Sequence, residues 1–243
     1  MDNNSEEMMA MLEGGKMSVS ARPHGHVYEL RLDRPIESPK DYADWVQTIR
    51  NTTENDMIEL HLCTPGGRVD TTLYLAAALR DSPAHKHVVI SGMCASGGTI
   101  LMMVGDSWEI DPYTQFLFHN YSGGAMGKGH DIKLQTDYMM GMMEDVYKDF
   151  FDGFFNEEEL MAVARGHEHW MRAEEVGERL KDVTKVREEK MTEVMDEISK
   201  ILEDAKVSLK DMTKAELLEI AKEEGHKVTG KMTKKQLIEL LED

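Results

Sequence analysis

Two stretches of the chain share one build. In "DMIELHLCTPGGRVD" (Asp56–Asp70) and "HVVISGMCASGGTILMM" (His87–Met103), an apolar run ends abruptly in a bend of small residues with a glycine pair, and helix-forming sequence follows. This recurrence limits the available folds more than any other feature. A strand that stops at a tight bend and passes straight into a helix sets up a crossover, and such crossovers are right-handed and lay strands parallel. Glycine in the bend permits positive φ and leaves backbone N–H groups unshielded by a Cβ. Ser96 stands inside the second bend, between Ala95 and Gly97. A serine there is either filler in a turn or a nucleophile placed where backbone and substrate meet.

The surrounding sequence extends the pattern. "HVYELRLDRPI" (His26–Ile36) alternates Val27, Glu29 and Arg31 against Tyr28, Leu30 and Leu32, a period of two that predicts a strand. "SPKDYADWVQTIRNT" places Tyr42, Trp45, Val46 and Ile49 at helical spacing, with Ser38 as cap ahead of Pro39. "TTLYLAAALRDS" predicts a helix with Leu73, Leu75, Ala76 and Leu79 on one side, "GGTILMMVG" another, and "SWEIDPYTQFLFHN" one or two short strands. The expected fold class is α/β, with a mostly parallel sheet covered by helices. A long helix is expected over Gly129–Phe155, its stripe of Ile132, Leu134, Tyr138, Met139, Met142 and Val146 broader than one packing face needs. Two short helices, "NEEELMAVARG" and "MRAEEVGERL", are expected to flank "HEHW".

From Val186 the composition turns highly charged, and Met191, Val194, Ile198 and Ile201 fall in helical register. The tail then repeats itself, "MTKAELLEIAKEEGHKV" being followed by "MTKKQLIELLED". Each copy opens with a capping box, Thr213 with Glu216 and Thr233 with Gln236. Gly225 and Gly230 bracket the connection as helix terminators would. The expected organisation is an acidic leader over 1–20, a main domain over 21–185, a linker helix over 186–206 and a small all-α module over 207–243.

Bulk properties exclude several classes. Of 243 residues, 41% are hydrophobic and 30% charged, which suits a folded globular chain. A net charge of -18 opposes broad binding to nucleic acid or anionic membrane. No apolar run reaches the roughly 18 residues of a bilayer span. The leader "MDNNSEEMMAMLEGGK" lacks a basic segment followed by an apolar one, so a cytoplasmic location is expected. In that setting Cys63 and Cys94 are expected as reduced thiols. The 20 methionines suit a core or a subunit contact.

The chemistry then follows from the bends. A hydroxyl at the start of a helix gains from its positive end, and two glycine bends on adjacent strands can aim two N–H groups at one oxyanion. A general base is needed, and "FLFHN" offers His119 at the end of an apolar strand. An acid must orient that base, and "GHEHW" offers Glu168. The same histidine-rich stretches, His24 with His26 and His167 with His169, invite a metal reading. No cysteine pair or H-E-x-x-H spacing supports it, and no metal or other cofactor is expected. Cys94 lies two positions before Ser96 in the apolar strand and reads as a small hydrophobe.

These motifs resemble those of the proteolytic subunit of the Clp protease, in the crotonase-like superfamily. The family's S-P-G-G pair is similar to "TPGG" at Gly66 and Gly67. Its nucleophile motif, of the type G-x-A-A-S-M-G, is similar to "GMCASGG" with Ser96 in the serine place. Its histidine motif resembles "HNYSGG", which puts the base on His119. The following "GKGHDIKLQTDYM" resembles the start of the family's handle helix, and "EHWMRAEEV" places Glu168 where the family has aspartate. The likeness covers about Val27 to Val183. Glutamate for aspartate and Gly97 for a larger residue after the serine depart from the pattern, as does the duplicated tail. That tail resembles helix–extension–helix (SAP-like) modules of phage proteins, which implies a phage-encoded enzyme in a bacterial host cytoplasm.

The resemblance implies a ClpP/crotonase-like spiral of βαβ units and a serine endopeptidase. Ser96 is the expected nucleophile, His119 the base and Glu168 the orienting acid, with the N–H groups of Gly67 and Gly97 as oxyanion hole. It also implies a protein or peptide substrate, a homo-oligomeric ring and an ATP-driven (AAA+) unfoldase as partner. The tail is expected to dock a protein or to bind DNA weakly. Two rival readings are an acyl-CoA hydratase or isomerase on the same fold and a catalytically silent assembly scaffold.

Overall fold

The structure is a computed structural model that describes residues 25–223, 225–229 and 231–241. The expected leader over 1–20, His24 and the terminator Gly230 lie outside these residues. The chain divides into two compact units. One is built on the residues up to Phe151 together with Phe155–Gly177, the other on Asp152–Phe154 and Glu178 onward.

The first unit is organised by a six-stranded sheet. Strands β1 (Val27–Leu32), β2 (Met57–Thr64) and β3 (His85–Ala95) lie side by side and parallel. Beyond β3 the sheet forks. β4 (Ser107–Ile110) pairs with residues 87–90 of β3, and β5 (Gln115–Phe118) pairs with residues 93–95, both parallel. The last strand, β6 (His169–Arg172), runs antiparallel against β5. Between the strands come α1 (Ala43–Arg50), entered through a 3₁₀ turn over Pro39–Tyr42, then α2 (Val69–Asp81), α3 (Gly97–Met102), α4 (Gly129–Phe150) and α5 (Glu157–Ala164). The expected α/β organisation, a mostly parallel sheet with helices between its strands, is therefore present.

Burial alternates along the central strands. Ile58, Leu60, Leu62, Leu30, Leu32, Val88 and Ile90 are buried, together with Val46, Ile49, Leu75, Ala76 and Leu79 of α1 and α2. The intervening Glu29, Arg31, Glu59 and His61 stay partly or fully exposed. This corrects the expected sheet covered by helices: these strands carry a period-two pattern, the signature of one buried face, rather than a continuous apolar run. Burying Leu60, Leu62 or Ile90 contributes about 2–3 kcal/mol each by area.

Three further expectations change. "HWMR" forms β6 rather than a loop and the head of a helix. Four residues carry little periodic signal, and this strand exists because β5 offers it a partner. In place of a short helix and a separate linker over 186–206, one helix of 39 residues, α6 (Ala173–Asp211), runs continuously through that boundary. In α4 the buried residues are Met143, Tyr147 and Phe150, all near its C-terminal end. Leu134 and Tyr138 of the predicted stripe are 64% and 69% exposed.

In the second unit, α7 (Lys214–Glu223) and α8 (Lys234–Leu241) bury Leu217, Ala221 and Leu237. Both capping boxes form. The Thr213 N–H donates to Glu216 Oε2 at 2.6 Å, and the Thr233 N–H to Gln236 Oε1 at 2.9 Å. Gly225 adopts φ +83°, and the His226 N–H returns to the Ala221 carbonyl at 2.9 Å, closing α7 as a left-handed cap does. The N-cap expected at Ser38 forms no side-chain hydrogen bond, and Pro39 opens the 3₁₀ turn instead.

Candidate active site

The path of β3 decides where Ser96 sits. Leu62 pairs with Ile90, but Thr64 pairs with Cys94, so β3 spends four residues where β2 spends two. Gly92, at φ +70°, lies in this bulge and lets the strand turn from β4 toward β5. The strand ends at Ala95, and Ser96 opens α3 with φ 54° and ψ -125°. Among the described residues it is the single non-glycine residue with positive φ. Such a conformation costs about 1–3 kcal/mol and persists only where its surroundings enforce it. Here the Ser96 N–H donates to the Leu117 carbonyl of β5 at 2.9 Å. The Ser96 carbonyl accepts from the Thr99 N–H at 2.9 Å and from the Thr99 hydroxyl at 2.7 Å. A sharp strand-to-helix elbow of this kind presents its side chain outward instead of packing it.

The two bends touch. A Cβ on Gly66 (φ +87°) would lie 2.6 Å from Ser96 Cβ and 2.8 Å from the Gly97 nitrogen, so only glycine fits. Gly67 forms a parallel bridge with Ile36, in which the Ile36 N–H donates to Gly66 O at 2.8 Å and the Arg68 N–H to Ile36 O at 2.9 Å. Those bonds use the groups on either side of Gly67. Gly97 opens a helix, where first-turn N–H groups lack an intrahelical partner. Among the described residues, neither the Gly67 nor the Gly97 N–H donates a hydrogen bond. The Gly97 N–H lies in the wall of the recess beside the serine, whereas Gly67 follows the glycine that touches Ser96 and does not itself line the recess.

Ser96, Gly97 and His119 line one small recess, walled by Ile100, Met143 and Tyr147 among others. His119 follows β5 directly and is half-buried. Its backbone is anchored from α4: the Tyr147 hydroxyl lies 3.3 Å from both the His119 carbonyl and Asn120 Oδ1 and donates toward them. Burial pushes that hydroxyl up to about 12, which keeps it protonated as a donor. The Asn120 amide donates onward to the Ala164 carbonyl at 2.6 Å. Tyr147 and Asn120 were missed in the sequence. Tyr147 lies one helical turn after Met143, and only the packing shows that this face turns inward.

Glu168 stands apart. The β5–β6 ladder ends with Phe118 opposite His169, and His119 and Glu168 are the residues that leave its two strands at that end. The Glu168 side chain is nevertheless exposed and does not line the recess. The His119 imidazole hydrogen-bonds neither Ser96 nor Glu168. Ser96 and His119 are therefore brought together in one recess, and Glu168 is not among the residues that line it.

A wider groove of about 1,270 Å³ adjoins the recess, sharing Val69 and Tyr121 with it. Ser122, Gly124, Ile132 and Met139 line it, with an Arg68–Asp70 pair at 2.6 Å on its border. The Arg68 guanidinium holds the Asp70 carboxyl below its ordinary range. Cys63 and Cys94 are both free, and burial pushes the Cys94 thiol well above its usual range, so it stays a neutral apolar group. Among the described residues no helix is long and apolar enough to cross a membrane.

Comparison with known proteins gives a consistent result. The family model described as Clp protease matches residues 37–179, a stretch that holds both glycine bends, His119 and Glu168. The chain is 28% identical over 97 residues to "ATP-dependent Clp protease proteolytic subunit 2" of Synechococcus sp. (strain CC9605), covering 39% of this chain and 49% of that protein. It is 26% identical over 122 residues to the Leuconostoc citreum (strain KM20) "ATP-dependent Clp protease proteolytic subunit", covering 49% and 61%. Against "ATP-dependent Clp protease proteolytic subunit 2" of Pseudomonas aeruginosa the figures are 26% over 139 residues, 56% and 68%. The chain spans about half to two-thirds of the length of these relatives. The family model covers more than half of the chain, which belongs to the Clp protease family.

Proposed function

We propose that this chain is a serine endopeptidase. Ser96 Oγ attacks the scissile carbonyl while His119 accepts its proton. The resulting oxyanion takes hydrogen bonds from the N–H groups of Gly67 and Gly97. Collapse expels the amine, protonated by His119, and water then releases the acyl group from Ser96 by the same path in reverse. Glu168 steadies the imidazole tautomer, moving inward from the rim when substrate or a neighbouring copy orders the loop after β5. The observation that carries this reading is the strained Ser96 elbow, which shares one recess with Gly97 and His119. The adjoining groove accommodates the extended chain of a peptide substrate.

Assembly and partners are read from the family. The exposed apolar side chains of α4, Leu134, Tyr138 and Met140, suit burial between copies in a ring. The relatives' names include ATP dependence, and an ATP-driven unfoldase is the corresponding partner for this chain. The capped α7–α8 pair serves as a docking module for a protein partner, its lysines nearly balanced by acids. A phage setting rests on the resemblance of that tail.

The test is turnover of a fluorogenic peptide by the assembled protein, compared with Ser96→Ala. Turnover that disappears in the variant supports the proposal. Equal residual rates in both proteins, or tight coenzyme A binding without peptide cleavage, overturn it.

A further inference from the structure

On the open face of the sheet, Glu29, Glu59 and His61 converge. Glu29 and Glu59 are register partners on β1 and β2, and His61 follows Glu59 by two residues, so all three share one face. His61 Nε2 lies 2.6 Å from Glu59 Oε1 and 3.8 Å from Glu29 Oε1. One donor atom from each residue falls within 4.8 Å of the other two. Among the described residues no other trio of such groups converges so closely.

The spacing and the chemistry of the donors point to the same ligand. A tetrahedral zinc ion with bonds of about 2.0–2.1 Å holds its ligands roughly 3.3 Å apart. Closing these donors to that separation takes side-chain rotation only, since the strand register already fixes their Cα atoms. One imidazole nitrogen with two carboxylates suits a first-row transition ion better than magnesium or calcium, which prefer all-oxygen sites. Two carboxylates opposed on neighbouring strands repel. Arg31 pairs with Glu29, whereas a divalent cation would answer both carboxylates.

We propose that Glu29, Glu59 and His61 form a zinc site that clamps the outer strand β1 to β2. Zinc binds one oxygen of each carboxylate and Nε2 of neutral His61, displacing any proton held there, with water completing the tetrahedron. The site is separate from the Ser96 recess. His61 lies three residues before the end of β2 at Thr64, roughly 10 Å along the strand, and none of the three residues lines the recess. Its role is structural, and it stands whether or not the peptidase proposal does.

The test uses the full chain, dialysed free of metal and titrated with zinc chloride against a chromophoric chelator. One zinc per chain is expected, with binding weakened at least tenfold in both Glu59→Gln and His61→Gln and unchanged in the distant control His130→Gln. Cobalt substitution is expected to give the intense visible bands of a tetrahedral site. Zinc should raise the melting temperature of the wild type but not of a Glu59→Gln/His61→Gln double variant. Circular dichroism checks that each variant folds, and either single variant suffices if the other does not. No saturable zinc uptake, or uptake unchanged in the two variants, overturns the proposal.

Discussion

Ser96 and His119 face one recess, yet the chain holds them in different ways. The serine side is over-determined: a strained backbone, a hydrogen bond to β5, two bonds from Thr99 and a glycine contact that admits no side chain. The histidine side is held through its backbone, by Tyr147 and Asn120, and among the described residues its imidazole makes no hydrogen bond. In the proposed mechanism, rigid placement of the nucleophile and the oxyanion donors is where preorganisation matters most, because those dipoles must not move as charge develops. The looser imidazole marks the part of the proposed machinery completed by substrate or by a neighbouring copy.

The contrast predicts a ranking of effects. Ser96→Ala removes the proposed nucleophile and should lower peptide turnover by about 10⁶-fold, while leaving the melting temperature unchanged, because alanine keeps the Cβ and with it the same backbone strain. Gly66→Ala attacks the rigid side through the backbone. Its Cβ would meet Ser96 and Gly97, and its φ of +87° strains any L-residue. A loss of about 2–3 kcal/mol in stability is expected, seen by denaturant titration, together with a fall in turnover of at least ~100-fold. A variant with wild-type activity would break the claim that the two bends act as one unit.

The looser side should respond less steeply. Glu168→Gln is expected to lower kcat by about 10²-fold, the low end for a group assisting proton transfer, with little change in KM. Tyr147→Phe removes one donor to the His119 loop and should cost about 1 kcal/mol, read as a several-fold fall in kcat/KM. Should Tyr147→Phe prove as damaging as Gly66→Ala, the two sides are equally dependent on their supports and the contrast fails.

The smallest expected effect lies outside the recess. Asp56 accepts from the Thr53 N–H, the His26 N–H and the Thr53 hydroxyl, and its carboxyl is held down at about 2 against an ordinary 3.8, the Thr53 backbone bond contributing most. Because the folded value is the lower one, the stability from this group is complete above about pH 4 and lost as pH falls toward 2. Asp56→Asn should flatten that acid limb in thermal melts without changing peptide turnover at neutral pH.

Much of this was legible in the residues themselves. The glycine pairs announced both bends because no other residue accepts +87° at Gly66 or the contact it makes with Ser96. The capping boxes and the Gly225 terminator were equally readable, since each depends on neighbours a few positions away. Features that depend on distant partners were not. β6 is four residues whose strand character comes from β5, some fifty positions earlier. The inward turn of Met143 and Tyr147, against the exposure of Leu134 and Tyr138, reflects where α4 meets the sheet unit rather than any local preference. The one-sided burial of the sheet was written in the alternation of β1 and β2, a pattern set by local sequence alone.

The central claim is that Ser96 is an activated hydroxyl beside preformed oxyanion donors. Reaction of the folded protein with a fluorophosphonate, followed by mass spectrometry of its peptides, tests it most directly. The account predicts a single adduct on Ser96 that forms far more slowly in His119→Ala and in Gly66→Ala. Labelling spread over other serines, or a Ser96 that stays unmodified in folded and assembled protein, would contradict it.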